Sequence, residues 1–343
     1  MAYINIKKLP TGEELSLRIP LSKIAEANIA RHRHEIENIL SGADNRLLVI
    51  IGPCSAWPFA ATLEYAERLL ALNGKIADKI KLVMRTYIQK PRTIKGWTGP
   101  LNQPDPNKAA DIEEGMVYAR SLMVKISEMG LAIADEALFT HNARGFGELL
   151  SWVAIGARSS EDQEHRIHAS SLDCPVGIKN PTHGSIKIGV NGVIAAQHSH
   201  TAMFEGDIIK TSGNPYAHLV LRGGNGVANY DVKSLEDALH FLAAGKVKNP
   251  AIIVDVSHDN CIINGKKEFN SQGDIALQVL NNLKDKPGLQ KVVKGFMLES
   301  FIKSGNQVIT DPTNIDLGGL SITDPCLGWE KTEAFLLQLA KLI

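Results

Sequence analysis

Residues 80–93 read Ile80-Lys-Leu-Val-Met-Arg-Thr-Tyr-Ile-Gln-Lys-Pro-Arg-Thr93. The first five form an apolar run without helical spacing, which predicts a strand buried on both faces. Pro91 cannot donate to a ladder and biases Lys90 toward an extended conformation, so Lys90 and Arg92 lie on a loop leaving the strand. Arg85, Lys90 and Arg92 fall within eight residues. Three cations at a strand's exit suit an anionic ligand, most naturally one or two phosphates. A lone Lys-Pro-Arg would read as a solvated basic loop; the rest of the chain changes that reading.

Similar apolar runs recur on either side. They are Leu47–Ile51, Leu131–Ala134, Trp152–Ile155, Pro175–Ile178, His218–Leu221, Ala251–Val256 and Val293–Leu298, which with Ile80–Met84 makes eight. Helical patterns such as Ala60–Leu72, Asp111–Met129, Leu235–Ala244 and Asp274–Leu283 lie between them. Eight strand–helix units in about 300 residues predict an α/β fold, a (β/α)8 TIM barrel over residues 45–343. Residues 1–44 differ: a polar beginning leads to Ser22, which caps one helical pattern, Lys23–Leu40, closed by Ser41-Gly42. They read as an N-terminal extension, an oligomer or regulatory contact. Residues Ala195–Asn214 have alternation and turn residues but no clear helix, and are expected to form a hairpin or long loop inserted before the sixth barrel strand. No internal repeat, low-complexity segment or interdomain linker is evident.

Composition narrows the function. The 343 residues carry 37 basic and 37 acidic side chains, so the net charge is zero and nothing suggests a nucleic-acid or membrane surface. A cationic site must be local. No apolar stretch reaches the roughly 18 residues of a membrane span, and the first residues lack a signal-peptide core. Cys54, Cys174, Cys261 and Cys326 are scattered without Cys-x-x-Cys spacing, so a disulfide framework is not expected and a cytoplasmic setting is.

A TIM barrel keeps its chemistry at the C-terminal ends of its strands. In this chain each of the eight ends carries polar or charged residues, and they sort into two sets. Arg85, Lys90, Arg158, Lys179 and Arg222 converge from four strands and a loop. Guanidinium forks and ammonium groups together suit a small, highly charged anion, and phosphoenolpyruvate, with a phosphate and a carboxylate on three carbons, would qualify. Each cation alone would read as a surface ion pair, but five buried together without anionic partners would be very costly. The second set is Cys54, His258 and Glu299, with Asp324 from Ser321-Ile-Thr-Asp-Pro-Cys326. Thiolate, imidazole and two carboxylates make a mixed site open to Mn, Fe, Co or Zn. No spacing rule supports that set; only the barrel geometry does, and a strand-end cysteine also reads as a small core residue.

Eight motifs in order carry a resemblance: GPCS at 52–55, MRTYIQKPRT at 84–93, GARSSEDQEHR at 156–166, PVGIKNPT at 175–182, TSGNPYAHLVLRGG at 211–224, DVSHDN at 255–260, MLESFIKSGNQ at 297–307 and SITDPCLGWE at 321–330. From about Arg46 to the C-terminus they closely resemble the type I (alpha-class) 3-deoxy-D-arabino-heptulosonate 7-phosphate (DAHP) synthases, and the extension is typical of that class. The resemblance implies condensation of phosphoenolpyruvate with erythrose 4-phosphate to DAHP and phosphate, the first step of the shikimate pathway. It implies that Arg85, Lys90, Arg158, Lys179 and Arg222 hold phosphoenolpyruvate, with Lys90 closest to the chemistry, and that Arg92 and Thr93 hold erythrose 4-phosphate. Cys54, His258, Glu299 and Asp324 would bind a divalent metal, Mn first with Fe, Co or Zn open, and Lys90, Cys54 and His258 would be the catalytic residues. It also implies aromatic feedback control, by an effector the sequence does not identify, and a homodimer or homotetramer.

The chain departs from the best-known enterobacterial pattern at Ala56-Trp57-Pro58, where Ile-His-Asp is usual, and at Gln89 for Glu, Phe301 for His and Pro181 for Gly. These leave the proposed ligands intact but make supporting roles at Trp57, Gln89 and Phe301 untransferable. If Cys326, two residues beyond Asp324, lies near Cys54, oxidation would join the two in a disulfide and displace the metal. Two rivals remain: a sister synthase using a five-carbon sugar phosphate, against which the KPRT loop argues, and a catalytically silent sugar-phosphate sensor, which would not need the metal set. A fused chorismate mutase is not expected with one helix in residues 1–44.

Overall fold

A computed structural model describes residues 4–92, 96–138, 145–204, 207–309 and 314–343. Two helices come first, α1 (Gly12–Arg18) and α2 (Lys23–Ser41), and the barrel follows. Its strands are β1 (Leu47–Gly52), β2 (Ile80–Arg85), β3 (Ala132–Ala137), β4 (Trp152–Ile155), β5 (Val176–Lys179), β8 (His218–Leu221), β9 (Ile252–Asp255) and β12 (Val293–Glu299). All eight are parallel and close in sequence order, β1 pairing with both β2 and β12. The (β/α)8 barrel expected from the eight apolar runs is therefore the fold. Helices α3 (Phe59–Ile76), α4 (Ile112–Glu128), α5 (Gln163–Ser171), α6 (Ile186–Gln197), α7 (Val232–Ala244), α8 (Gln272–Leu283), α9 (Pro287–Val292) and α10 (Trp329–Leu342) surround it.

The strands read as unbroken apolar runs because both faces are covered. In β1, Val49 and Ile51 join the layer between strands and helices, while Leu48 and Ile50 join the barrel interior. That interior is crossed by one polar pair, Trp152 Nε1 donating to His218 Nε2 at 3.1 Å, with His218 Nδ1 2.8 Å from Tyr216 O. Gly177 makes room for the indole, since a Cβ there would lie 2.2 Å from the Trp152 ring.

The extension holds two helices rather than the expected one. The missed helix, α1, starts at a reciprocal capping box between Thr11 and Glu14, legible in Thr-Gly-Glu-Glu but followed by only one buried apolar residue, Leu15. Helix α2 begins at Ser22 and ends at Gly42 as read. Its Ile36, Ile39 and Leu40 belong to the barrel's own interior cluster, so α2 plugs the N-terminal end. The inserted hairpin is present as β6 (Thr201–Phe204) and antiparallel β7 (Asp207–Lys210), while the start of the expected segment, Ala195–Gln197, completes α6. No helix among the described residues is long and apolar enough to cross a membrane.

The plug is fastened by a buried charge cluster. Lys81 Nζ reaches His32 Nδ1 at 2.7 Å and Glu35 Oε2 at 2.5 Å, and His32 Nε2 lies 3.0 Å from Gly130 O. An ammonium at Nδ1 requires that nitrogen to accept, which leaves the proton on Nε2 for Gly130. Burial, with Lys81 adding to it, pushes His32 down from 6.5 to about 4. The unfolded chain therefore binds the proton first as pH falls: this stability is intact above about pH 6.5 and is lost between there and about pH 4. The shift corresponds to about 3 kcal/mol. Chemical denaturation at pH 7 and pH 4.5 should show a steeper loss for the wild type than for His32→Gln; parallel losses would refute the assignment. His168 and His218, also held near pKa 4 by burial, are present in both proteins and cancel.

Candidate active site

The C-terminal mouth of the barrel encloses a cavity of about 490 Å³ lined by residues from most of the strands. Arg85 ends β2 and is 1% exposed. It lies close to Gly52, where a Cβ would sit 2.9 Å from Arg85 O and where φ is +156°, a combination only glycine meets easily. The Tyr87 ring stacks on its guanidinium, 3.9 Å from Cζ to the centroid, and Glu299 Oε1 lies 3.4 Å from Nη2. Lys179 ends β5 between Glu136 (3.7 Å) and Asp255 (3.5 Å); Arg222, just past β8, pairs with Asp259 at 3.1 Å. Arg158 follows β4 and lines the same cavity, as do Lys90 and Arg92. Thr93 lies outside the described residues.

Acidic side chains of the protein itself meet part of the cost of burying these cations. Glu136, Asp255, Asp259, Glu299 and Asp324 pair with four of them, Arg85, Lys90, Lys179 and Arg222. Two donors nevertheless stay unmatched: Arg85 Nη1 and Arg222 Nε are buried with no hydrogen-bond partner. A buried guanidinium nitrogen in that condition carries an appreciable penalty, which an anion in the cavity would remove.

The second set also converges. Ligand atoms of Cys54, Glu299 and Asp324 lie within 4.8 Å of one another. His258 joins through Glu299, its Nε2 3.8 Å from Oε1, while its Nδ1 is 2.8 Å from Asp255 Oδ2. That orientation needs φ +48° at His258, a left-handed conformation costly for a non-glycine residue. The turn is held by Asn260, whose side chain donates to Leu221 O and Asp255 O. The Lys90 ammonium lies 2.7 Å from Asp324 Oδ2 and 2.8 Å from Cys54 Sγ, so two of these side chains already face a positive charge. Soft sulfur, imidazole and two carboxylates fit a divalent transition metal, and a carboxylate on the far nitrogen of the histidine is the usual support for a ligating imidazole.

The electrostatics agree. Burial alone would raise Glu299 and Asp324, but Lys267 and His258 around the first, and Lys90 beside the second, outweigh it and hold both carboxyls low. Burial, with Glu299 nearby, pushes the Cys54 thiol up to about 11. Burial opposes the Lys90 charge, but Cys54, Asp324 and Glu299 keep it protonated well past neutrality. Burial also pushes Asp135 up to about 8.

Lys267, Asp255 and Tyr87 were not singled out in the sequence. Asp255 precedes His258 by three residues, and that spacing was its available signal. Among the departures, Trp57 donates to Pro104 O at 2.9 Å and meets Trp97 edge-on, Phe301 packs against Tyr65, and the Gln89 amide nitrogen is buried beside Lys90 without a partner. The Cys326 thiol donates to Asp324 O at 3.6 Å, and both Cys54 and Cys326 are free and buried.

Comparison with known proteins yields a consistent set. The profile of the DAHP synthetase I family matches residues 22–337. The Trp-sensitive phospho-2-dehydro-3-deoxyheptonate aldolase of Escherichia coli K12 is 39% identical over 346 residues, covering 98% of this chain and 96% of that protein. The Tyr-sensitive enzyme of Salmonella typhimurium is 40% identical over 341 residues, covering 97% and 92%. The solved structure of a phospho-2-dehydro-3-deoxyheptonate aldolase from Francisella tularensis superposes with a TM-score of 0.91 at 34% identity, covering 98% of this chain and 97% of that one.

Replacing Asp255 by Asn removes the charge that aims His258 while keeping the side chain's size. Mn²⁺ affinity, measured by calorimetry, should fall by roughly 10- to 100-fold. An unchanged affinity would remove His258 from the ligand set.

Proposed function

The chain belongs to the DAHP synthetase I family, and from that premise we propose how its residues carry the family's reaction. The protein is a DAHP synthase: it joins phosphoenolpyruvate, erythrose 4-phosphate and water to give DAHP and phosphate, the first step of aromatic amino acid biosynthesis. The observation that carries the assignment of residues is the meeting of unmatched buried guanidinium donors with a cation-binding donor set in one cavity.

Arg85, Arg158, Lys179 and Arg222 hold phosphoenolpyruvate through its phosphate and carboxylate, with Lys90 at the reacting end. Bidentate guanidinium contacts fix its orientation, which converts a bimolecular encounter into an aligned one. Arg92 and Thr93, on the loop beyond Lys90, receive the phosphate of erythrose 4-phosphate. Cys54, His258, Glu299 and Asp324 hold the divalent ion, Mn²⁺ first and Fe²⁺, Co²⁺ or Zn²⁺ next, which when bound polarises the aldehyde carbonyl. C3 of phosphoenolpyruvate then bonds to the aldehyde carbon. The Lys90 ammonium, protonated at neutral pH, hands a proton to the oxygen that was the carbonyl. Water adds at C2, the proton it releases returning to the Lys90 amine, and phosphate leaves by C–O cleavage.

Beyond the barrel mouth, we propose residues 1–44 as an oligomer or regulatory contact in addition to the plug formed by α2. Leu17 and Ile24 are largely exposed on these helices, which suits a homodimer or homotetramer. The Trp- and Tyr-sensitive names of its relatives support an aromatic amino acid as feedback effector. A cytoplasmic location suits a pathway enzyme with four free cysteines.

Loss of phosphoenolpyruvate absorbance should require erythrose 4-phosphate, stop with EDTA and resume with Mn²⁺. Turnover with arabinose 5-phosphate alone would instead favour the five-carbon synthase. Lys90→Met should lower kcat by roughly 10²- to 10⁴-fold, whereas Arg85→Lys should chiefly raise KM for phosphoenolpyruvate. Equal kinetics in either variant would displace that residue from its role.

Oxidation supplies a separate check on Cys54. Mild oxidant should abolish activity and release the metal, dithiothreitol should restore both, and Cys326→Ser should resist. Oxidant-indifferent wild-type enzyme would rule out the Cys54–Cys326 pairing.

A further inference from the structure

Lys267 belongs to neither residue set, yet it lines the cavity. After His258 the chain makes a short 3-10 turn, His258–Cys261, and then a two-stranded hairpin, β10 (Ile262–Ile263) and β11 (Lys266–Lys267). Its turn residues, Asn264 and Gly265, have φ of +51° and +75°, the left-handed pair required by a two-residue type I′ turn. Glu268 N donates to Cys261 O at 2.8 Å and closes the base. The hairpin's apolar content is poorly buried, Ile263 being 45% exposed, so packing is a weak reason for its presence. What it delivers inward is the Lys267 ammonium, 3.3 Å from Glu299 Oε2.

The two Glu299 oxygens are divided. Oε2 receives Ser257 Oγ at 2.9 Å and Lys267; Oε1 faces Arg85 Nη2 at 3.4 Å and His258 Nε2 at 3.8 Å. A lysine at that position could act in two opposite ways on a divalent ion held by Glu299. As a tether it would orient the carboxylate and strengthen binding. As a like charge it would repel the ion and weaken binding. Ser257 already holds Oε2, Arg85 already holds the other oxygen, and the Gln272 side chain clasps the Glu299 backbone at both its N–H and its carbonyl. The tether is therefore redundant, and the repulsion is not.

We propose that Lys267 tunes the metal centre by its charge: held beside Glu299, its ammonium weakens the hold on the divalent ion and keeps that ion exchangeable. The proposal rests on the reading of Cys54, His258, Glu299 and Asp324 as metal ligands. It adds a control on that site that resides in the hairpin and in no ligand.

The test titrates full-length wild-type enzyme, Lys267→Met, Lys267→Gln, Lys267→Arg and Glu299→Gln with Mn²⁺ in competition with a fluorescent chelator, after thermal melting has confirmed folding. One Mn²⁺ per wild-type chain, lost in Glu299→Gln, supports the metal reading on its own. A wild type that binds no Mn²⁺ overturns that reading whatever the Lys267 variants do. Given wild-type binding, the two neutral variants should bind on the order of ten-fold more tightly and release Mn²⁺ more slowly, because a neighbouring charge has been removed from a partly desolvated site. Lys267→Arg should stay near wild type. Neutral variants that bind equally or less tightly overturn the proposal, as does Lys267→Arg binding as tightly as the neutral pair. The second neutral variant keeps the test decisive if the first fails to fold.

Discussion

Glu299 is fully buried at the end of the last barrel strand, and it bears on the charges of Arg85, Lys90, Asp255, His258, Lys267 and Asp324. A carboxylate in that position is tolerated only if its neighbours compensate its lost hydration. Arg85 and Lys267 supply charge, and Ser257 donates a hydrogen bond. His258 faces it from the adjoining turn and is in turn paired with Asp255, which also touches Lys179. The cationic set and the proposed metal ligands are thus one network joined at Glu299 and Asp255. Removing Glu299 would leave Arg85 with a buried, uncompensated charge as well as deprive the proposed metal centre of a ligand.

The barrel divides labour along its axis. Its N-terminal end is closed by apolar residues of α2 and by the His32–Lys81–Glu35 cluster, whose only evident work is structural. The Trp152–His218 pair adds a satisfied polar contact within the interior, and the C-terminal end gathers the unmatched donors. Short, doubly buried strands have little freedom to shift, so side chains at their ends hold separations that loop-borne groups could not. Lys90 and Arg92 are exceptions, carried on the loop after β2, which is pinned by Lys90 N to Thr98 O and by Trp57 to Pro104 O.

Most of the fold was legible because parallel strands covered on both faces leave continuous apolar runs, and all eight runs are strands. Helix α1 was not legible, since a seven-residue helix burying one leucine has almost no periodic signal. For the site, strand ends named the cations and the proposed metal ligands, but not how they pair. Asp255 and Asp259 sit in the same short stretch as His258, and only closure of the sheet reveals that one aims the histidine and the other meets Arg222. Lys267 was hidden for a different reason. Ile-Ile-Asn-Gly-Lys-Lys reads as a solvated hairpin, and nothing local distinguishes the exposed Lys266 from the inward Lys267.

The departures near the mouth follow from the same charge balance. Gln89 stands where a glutamate is usual in the best-known pattern, and it borders a small cavity together with Asp135 and Glu136. Asp135 is so desolvated that burial lifts it to about 8, so negative charge is disfavoured there. A third acid at position 89 would compete with Asp135 and Glu136 for the same limited compensation, and Lys179 is the ammonium in contact with Glu136. A neutral amide avoids that competition, although its Nε2 is left buried without a partner. The substitution therefore leaves Lys179 and Lys90 to the groups they already face, and the division of charge between the phosphoenolpyruvate side and the metal side is preserved without a new counterion.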